Sequence, residues 1–362
     1  MFRLAHVNPE AAMAAVGEFQ AINVLMKKVQ TEKPGAYQFP REGAILRQIK
    51  INQLMNQPWF SFSLPDFSYA FLSVLLEGVP FILLGTVMSG LIDQFLPARV
   101  MTRFLPRSPF AGVCVSALMG LVFPMCECGI VPVIRRLIAK GLPVSNAVAY
   151  MLAAPIVNPI TALSTYAAFR GQGAAEFTTL RLGLGFFIAA LVGMAVYNLS
   201  IGSVLKKEIL ESVALGSADS GGGGGAPITR RLVAAMDAGV RDFLDVMLYF
   251  IVGAAAASVF GTAFNQSLFL PLAMHDWLAV PSMMGLAGIL ALCSSSDAFV
   301  AATFVSFPAV AKLAFLVFGP MMDLKLVFIY AAVFRRRFVF GLAVGLFVLI
   351  GLICLRLSVI GL

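Results

Sequence analysis

Charge is what this sequence has least of. Lys, Arg, Asp and Glu together make 12% of its 362 residues, about half the share found in soluble globular proteins. Apolar residues reach 60% and the mean hydropathy is +0.91, so there is too little polar surface to cover a soluble body. The same figures exclude disorder, which needs low hydrophobicity and high charge. Five cysteines in 38.6 kDa exclude a disulfide scaffold. The only histidines, His6 and His275, lie outside the long apolar runs, so no zinc-type ligand spacing and no nucleophile–base pair arises within them. No GxxxxGK[ST] loop is present, so the chain does not itself hydrolyse ATP. These absences argue against an enzyme and give no cofactor or metal to expect. The apolar stretches are long runs rather than short alternating strands, which excludes a transmembrane β-barrel. What remains is an all-α polytopic protein whose partners are the lipid bilayer and a small-molecule substrate, with room for a homo-oligomer. The net charge of +8 fits basic cytoplasmic loops better than nucleic acid.

Residues 1–67 are the polar part, with seven basic residues and no apolar core of the signal-peptide kind after Arg3. Within them the stretch 44–60 has the composition of a helix lying on the membrane surface; the alternative is a partly ordered extension. Apolar runs long enough to span a bilayer, about 20 residues, begin at Ser68. They fall at 68–95, 110–127, 143–169 and 176–200. A linker at 201–235 carries Gly221 to Gly225, which favour flexible coil. A second set follows at 240–265, 277–293, 308–333 and 338–361. The expected organisation is an N-terminal extension (1–67), a first transmembrane repeat (68–200), a cytoplasmic linker (201–235) and a second repeat (236–362).

The two sets match at their punctuating residues. Gly85 and Gly253 are 168 apart, as are Glu77 and Asp245; Cys126 and Cys293 are 167 apart; Pro155 and Pro320 are 165 apart, as are Asn158 and Asp323. Duplicated halves mark secondary transporters. Basic clusters at Arg99–Arg107, Arg135–Lys140, Lys206–Arg231 and Arg335–Arg337 are expected on the cytoplasmic side, and the loop from Asn265 to Asp276, without Lys or Arg, outside. If 110–127 dips in and returns, each half has three crossings, the second half is inverted and residues 1–67 fall outside. If 110–127 crosses fully, there are eight spans.

Three motifs carry chemistry. In Pro124-Met125-Cys126-Glu127-Cys128-Gly129, a proline and a glycine break the helix and place two thiols and a carboxylate at membrane depth. Irregular backbone there must line a cavity or be buried in protein. Thiolates suit soft metals and metalloids, and Cys-x-Cys can converge on one centre only outside a helix. The alternative is that Cys126 and Cys128 are small buried hydrophobes. A redox disulfide between them is a further alternative. A carboxylate such as Glu127 is costly in hydrocarbon and normally functional, unless it serves as an ion-pair partner of Arg135 or Arg136. The second motif, Cys293-Ser294-Ser295-Ser296-Asp297, adds a thiol, three hydroxyls and a carboxylate, and could cap a broken helix whose N-terminus attracts anions. The third is a pair of proline breaks, Pro155 with Asn158 and Pro320 with Asp323, the latter followed by Lys325. The expected substrate contacts are Cys126, Cys128, Cys293, Ser294, Ser295, Ser296 and Asn158. Glu127, Asp297 and Asp323 are the expected proton-coupling groups, because burial favours the neutral carboxyl and lets it exchange a proton.

The segments PMCECGIVPVIRRLIAKGLP, YMLAAPIVNPITALSTYAAF and LCSSSDAFVAATF with FLVFGPMMDLKL resemble the predicted permeases of the ArsP/YraQ type. The resemblance covers roughly 68–362. It implies an inner-membrane secondary permease with eight spans that exports a trivalent organoarsenical such as methylarsenite. It places the family's cysteine pair on Cys126 and Cys128 and its serine-rich motif on Cys293 to Asp297. A transporter of a small anion or sulfur-containing metabolite, and a thiol-based membrane redox protein, are the readings to set against it.

Overall fold

The computed structural model describes residues 63–96, 106, 108–207, 227–263, 276–304 and 307–360, all within one compact unit, 58–362. The surface stretch expected over 44–60, Arg99, Arg103, Arg107, the glycine run 221–225 and most of the loop after Asn265 lie outside these residues.

The regular elements among the described residues are helices, with a single antiparallel bridge between Leu205 and Phe334. The first series of helices is α1 (Leu64–Phe95), α2 (Pro109–Val122), α3 (Ile130–Ala139), α4 (Val144–Ala153), α5 (Pro159–Ala168) and α6 (Ala174–Tyr197). A short α7 (Ile201–Val204) precedes the second series: α8 (Ile228–Ala263), α9 (Asp276–Leu290), α10 (Asp297–Thr303), α11 (Ala309–Met321), α12 (Leu324–Val333) and α13 (Arg336–Ile360). The two series run in the same order. α5 and α12 are both ten residues long and both start behind a side-chain cap. Asn158 Oδ1 accepts from Ile160 N at 2.9 Å, and Asp323 Oδ1 from Leu326 N at 2.7 Å. Packing repeats as well, since α2 meets α4 and α6 as α9 meets α11 and α13.

α1 and α8 form the longest contact between the series. Gly78 packs on the Phe250 ring and Gly90 on the Ala235 carbonyl, so position rises along one helix as it falls along the other and the pair is antiparallel. Small residues allow such backbone approach in a membrane. Gly85 and Gly253, 168 apart, also allow close backbone approach, each to a different partner. A Cβ on Gly85 would run into the Gly129 carbonyl, and one on Gly253 would lie 2.9 Å from the Lys325 carbonyl oxygen. Gly85→Ala and Gly253→Ala are each expected to cost about 1–3 kcal/mol through overpacking, read as a lower unfolding midpoint in micelles. Gly183→Ala, which meets nothing within 4 Å, serves as the neutral control.

Among the described residues, five helical stretches are long and apolar enough to cross a membrane: α1, α6, α8, α11 with α12, and α13. This is fewer than the six or eight expected. One reason is that the apolar run 143–169 is split into α4 and α5, each ten residues and so only about 15 Å long. The linker is also more ordered at its ends than its composition suggests. Val204 and Leu205 are buried, Arg335 N donates to Val204 O at 2.9 Å, and Lys206 N donates to Val333 O at 3.2 Å. At its other end, 228–235 already belongs to α8.

Basic and acidic side chains tie α1, α3 and α8 together at one end. Arg136 binds both Asp242 oxygens (2.9 and 3.1 Å), Ser89 donates to Asp242 at 2.7 Å, and Arg135 reaches Asp245 at 3.0 Å. Lys140 donates to the Asp93 carbonyl at 2.6 Å, and Arg231 donates to the Gln94 carbonyl.

Candidate functional site

Two helix breaks face one another. The first runs from Phe123 to Gly129, between α2 and α3. Pro124 lacks an N–H to continue the ladder, and the freed Phe123 carbonyl accepts from Tyr150 Oη at 3.3 Å. Cys126 Sγ accepts from Gly129 N at 3.3 Å, which closes the turn ahead of α3. The second break runs from Ala291 to Ser296, between α9 and α10. It opens at Ala291, whose φ of +47° is unusual for a residue with a Cβ.

Both breaks line one cavity. Its walls are Cys126, Glu127 and Cys128 from the first break, Cys293 from the second, Lys325 from α12, Val74, Glu77, Gly78 and Phe81 from α1, and Phe250 from α8. The free space is about 10 Å³, about what one water needs. Cys128 is 3% exposed and Cys293 9%. Among the described residues no three His, Cys, Asp or Glu side chains stand close enough to hold a metal ion. The thiols therefore share a wall without forming a finished coordination set.

Buried charge surrounds the cavity. Lys325 Nζ lies 3.3 Å from Glu127 Oε1 and 3.4 Å from Asp323 Oδ2, with donations to the Ala291 carbonyl at 2.8 Å and the Leu292 carbonyl at 3.3 Å. Arg181 of α6, fully buried, donates to Asp297 Oδ2 at 2.7 Å, Thr165 Oγ1 at 2.7 Å and the Ser294 carbonyl at 3.1 Å. Charges this deep persist only when paired and hydrogen-bonded. Among the described residues, Glu127 Oε2, Asp297 Oδ1 and Asp323 Oδ2 have no hydrogen-bond partner.

A family described as predicted permeases, ArsP_1, matches residues 64–358. The chain belongs to this permease family. The YcgR protein of the UPF0718 group from Bacillus subtilis is 37% identical over 282 residues, covering 77% of this chain and 92% of the relative. A Streptococcus mutans protein, named as a candidate subunit of a two-component membrane permease complex, is 30% identical over 74% of this chain and 87% of its own length. YraQ of Escherichia coli is 27% identical over 36% of this chain and 34% of its own length. No solved structure matches significantly. The chain is thus a multi-pass membrane protein of the prokaryotic permease type rather than an enzyme.

Within the permease, the cavity gathers Cys126, Glu127, Cys128 and Cys293 from the expected site residues. The others are not among its lining residues. Asn158 caps α5, Asp323 caps α12 and touches Lys325, and Asp297 is held by Arg181. Ser295 Oγ lies 3.4 Å from Cys293 Sγ. Ser296 donates to the Cys293 carbonyl at 3.2 Å and to Glu77 Oε1 at 3.4 Å. It does not cap α10 with its side chain, because its own backbone is already helical (φ −86°, ψ −25°). Glu127 does not pair with Arg135 or Arg136, which are engaged with Asp242 and Asp245; its partner is Lys325. The sequence reading missed Arg181. Its signal was available: an arginine inside the apolar run 176–200 needs a buried partner.

Proposed function

We propose that the permease is a secondary transporter of a soft, thiophilic small solute, exported across the inner membrane, with the trivalent organoarsenicals as the chemical class. The observation that carries this reading is that three thiols, from both halves of the chain, line one cavity beside a buried ion pair. Each thiol that binds a trivalent arsenical loses its proton, the arsenical loses a hydroxide, and the two leave as water. Glu127 and Asp323 are the coupling groups, because both touch Lys325 and each has an oxygen with no hydrogen bond among the described residues. Asp297 is held by its own arginine, Arg181. The halves are inverted repeats. Supporting this, α1 and its counterpart α8 are antiparallel neighbours, and Cys126 and Cys293 reach the same cavity from opposite series.

A small oxyanion is the second reading, favoured by Lys325 in the cavity wall. Everted vesicles with an imposed pH gradient separate the two. Methylarsenite should accumulate with the gradient and fail to do so in Glu127→Gln. Accumulation of oxyanions without methylarsenite would establish the second reading instead.

A further inference from the structure

Lys325 does more than balance a charge. An ammonium group has three N–H donors, and two of its contacts are the carbonyls of Ala291 and Leu292, at 2.8 and 3.3 Å. These lie just beyond the C-terminal end of α9, where carbonyls have no intrahelical partner. The Ala291 peptide is also the one that turns to positive φ. Cys293 follows directly. On its other side the same nitrogen reaches Glu127 Oε1 at 3.3 Å, between Cys126 and Cys128. One nitrogen therefore joins both cysteine-bearing breaks, one from each half. The duplication does not supply a second such strut, since the position 165 residues earlier is Ile160. The backbone that carries Lys325 is itself fixed, with α12 capped by Asp323 and Gly253 of α8 packed on the Lys325 main chain.

We propose that Lys325 is the positioning residue of the cavity, tying the Cys126–Cys128 turn to the Ala291–Cys293 segment so that thiols of both halves face one solute. This rests on the thiol reading of the site, and it assigns Lys325 a geometric task that a charge-compensating residue would not have. The two tasks separate in Lys325→Met/Glu127→Gln. That variant removes one positive and one negative charge and leaves the net charge of the Glu127, Asp323 and Lys325 group unchanged.

The test is cross-linking of the purified, full-length permease in detergent with 1,2-ethanediyl bismethanethiosulfonate. Products are mapped by mass spectrometry, and folding is checked by unfolding midpoint and gel filtration. Wild type should link Cys293 to Cys126 or Cys128. The double variant should lose that product by about tenfold or more, the scale seen when partners that orient ligands are removed, while each thiol still reacts singly. A double variant that folds and links as well as wild type would overturn the proposal, as would a wild type that forms no such product. If the double variant does not fold, Lys325→Arg decides: its longer, planar head group does not reproduce the ammonium contacts and should also lose the link, and retention of the link would overturn the proposal. Protection of the thiols by phenylarsenite is measured in parallel on wild type. Absence of protection would defeat the thiol-ligand reading while the cross-link still decides the role of Lys325.

Discussion

Arg181→Met is expected to destabilise the permease by about 3–5 kcal/mol, the cost of leaving one member of a buried ion pair without its partner. Arg181 is fully buried, and Asp297 is 2% exposed with no cation other than Arg181 in contact among the described residues. The arginine also joins α6 to the Ser294 carbonyl and to Thr165 of α5, so its loss should loosen the second break as a whole. Arg181→Met/Asp297→Asn should recover most of the loss, because a neutral amide in a buried site is far cheaper than an unpaired carboxylate. Unfolding midpoints of the three proteins in the same micelles check this. Equal midpoints for single and double variants would show that Asp297 is already neutral or finds another partner.

Cys126→Ser and Cys128→Ser are each expected to lower transport of a trivalent organoarsenical by at least about tenfold, the effect of losing about 1.4 kcal/mol of ligand free energy. Protein abundance should stay near wild type. Serine keeps the size of cysteine but not its affinity for soft centres. Cys114→Ser, in α2 and outside the cavity wall, should transport normally. Flux per unit of protein in everted vesicles measures all three. Normal flux in both Cys126→Ser and Cys128→Ser would make these thiols packing residues.

Much of this was legible in the sequence because membranes leave few solutions. A low share of charge and long apolar runs specify helices, and proline, glycine and asparagine or aspartate mark where they break. Asn158 and Asp323 were visible as punctuation, and both turn out to be helix caps. Cys126, Cys128 and Cys293 were visible as thiols at breaks. That they share one site was legible too, since all three were expected substrate contacts; its walls from α1 and α8 were not, because close contact of Gly78 with Phe250 leaves no periodic signal. Partners of buried charges were the least legible part. Glu127 has arginines eight and nine residues away, yet it binds a lysine 198 residues away, because those arginines, at 135 and 136, lie toward the far end of α3 where Asp242 is placed. Serine runs misled in a similar way. Ser294 to Ser296 read as a cap, but the helical backbone at Ser296 turns its hydroxyl toward Cys293 and Glu77.

The central claim is that the thiol-lined cavity is where the solute binds. Arsenic-edge X-ray absorption of methylarsenite bound to the purified permease tests it most directly. The prediction is an arsenic with its methyl carbon and two sulfur neighbours in wild type, and loss of that sulfur coordination in Cys126→Ser/Cys128→Ser/Cys293→Ser. An arsenic surrounded by oxygen in the wild type, or sulfur coordination that survives the triple substitution, would contradict the account.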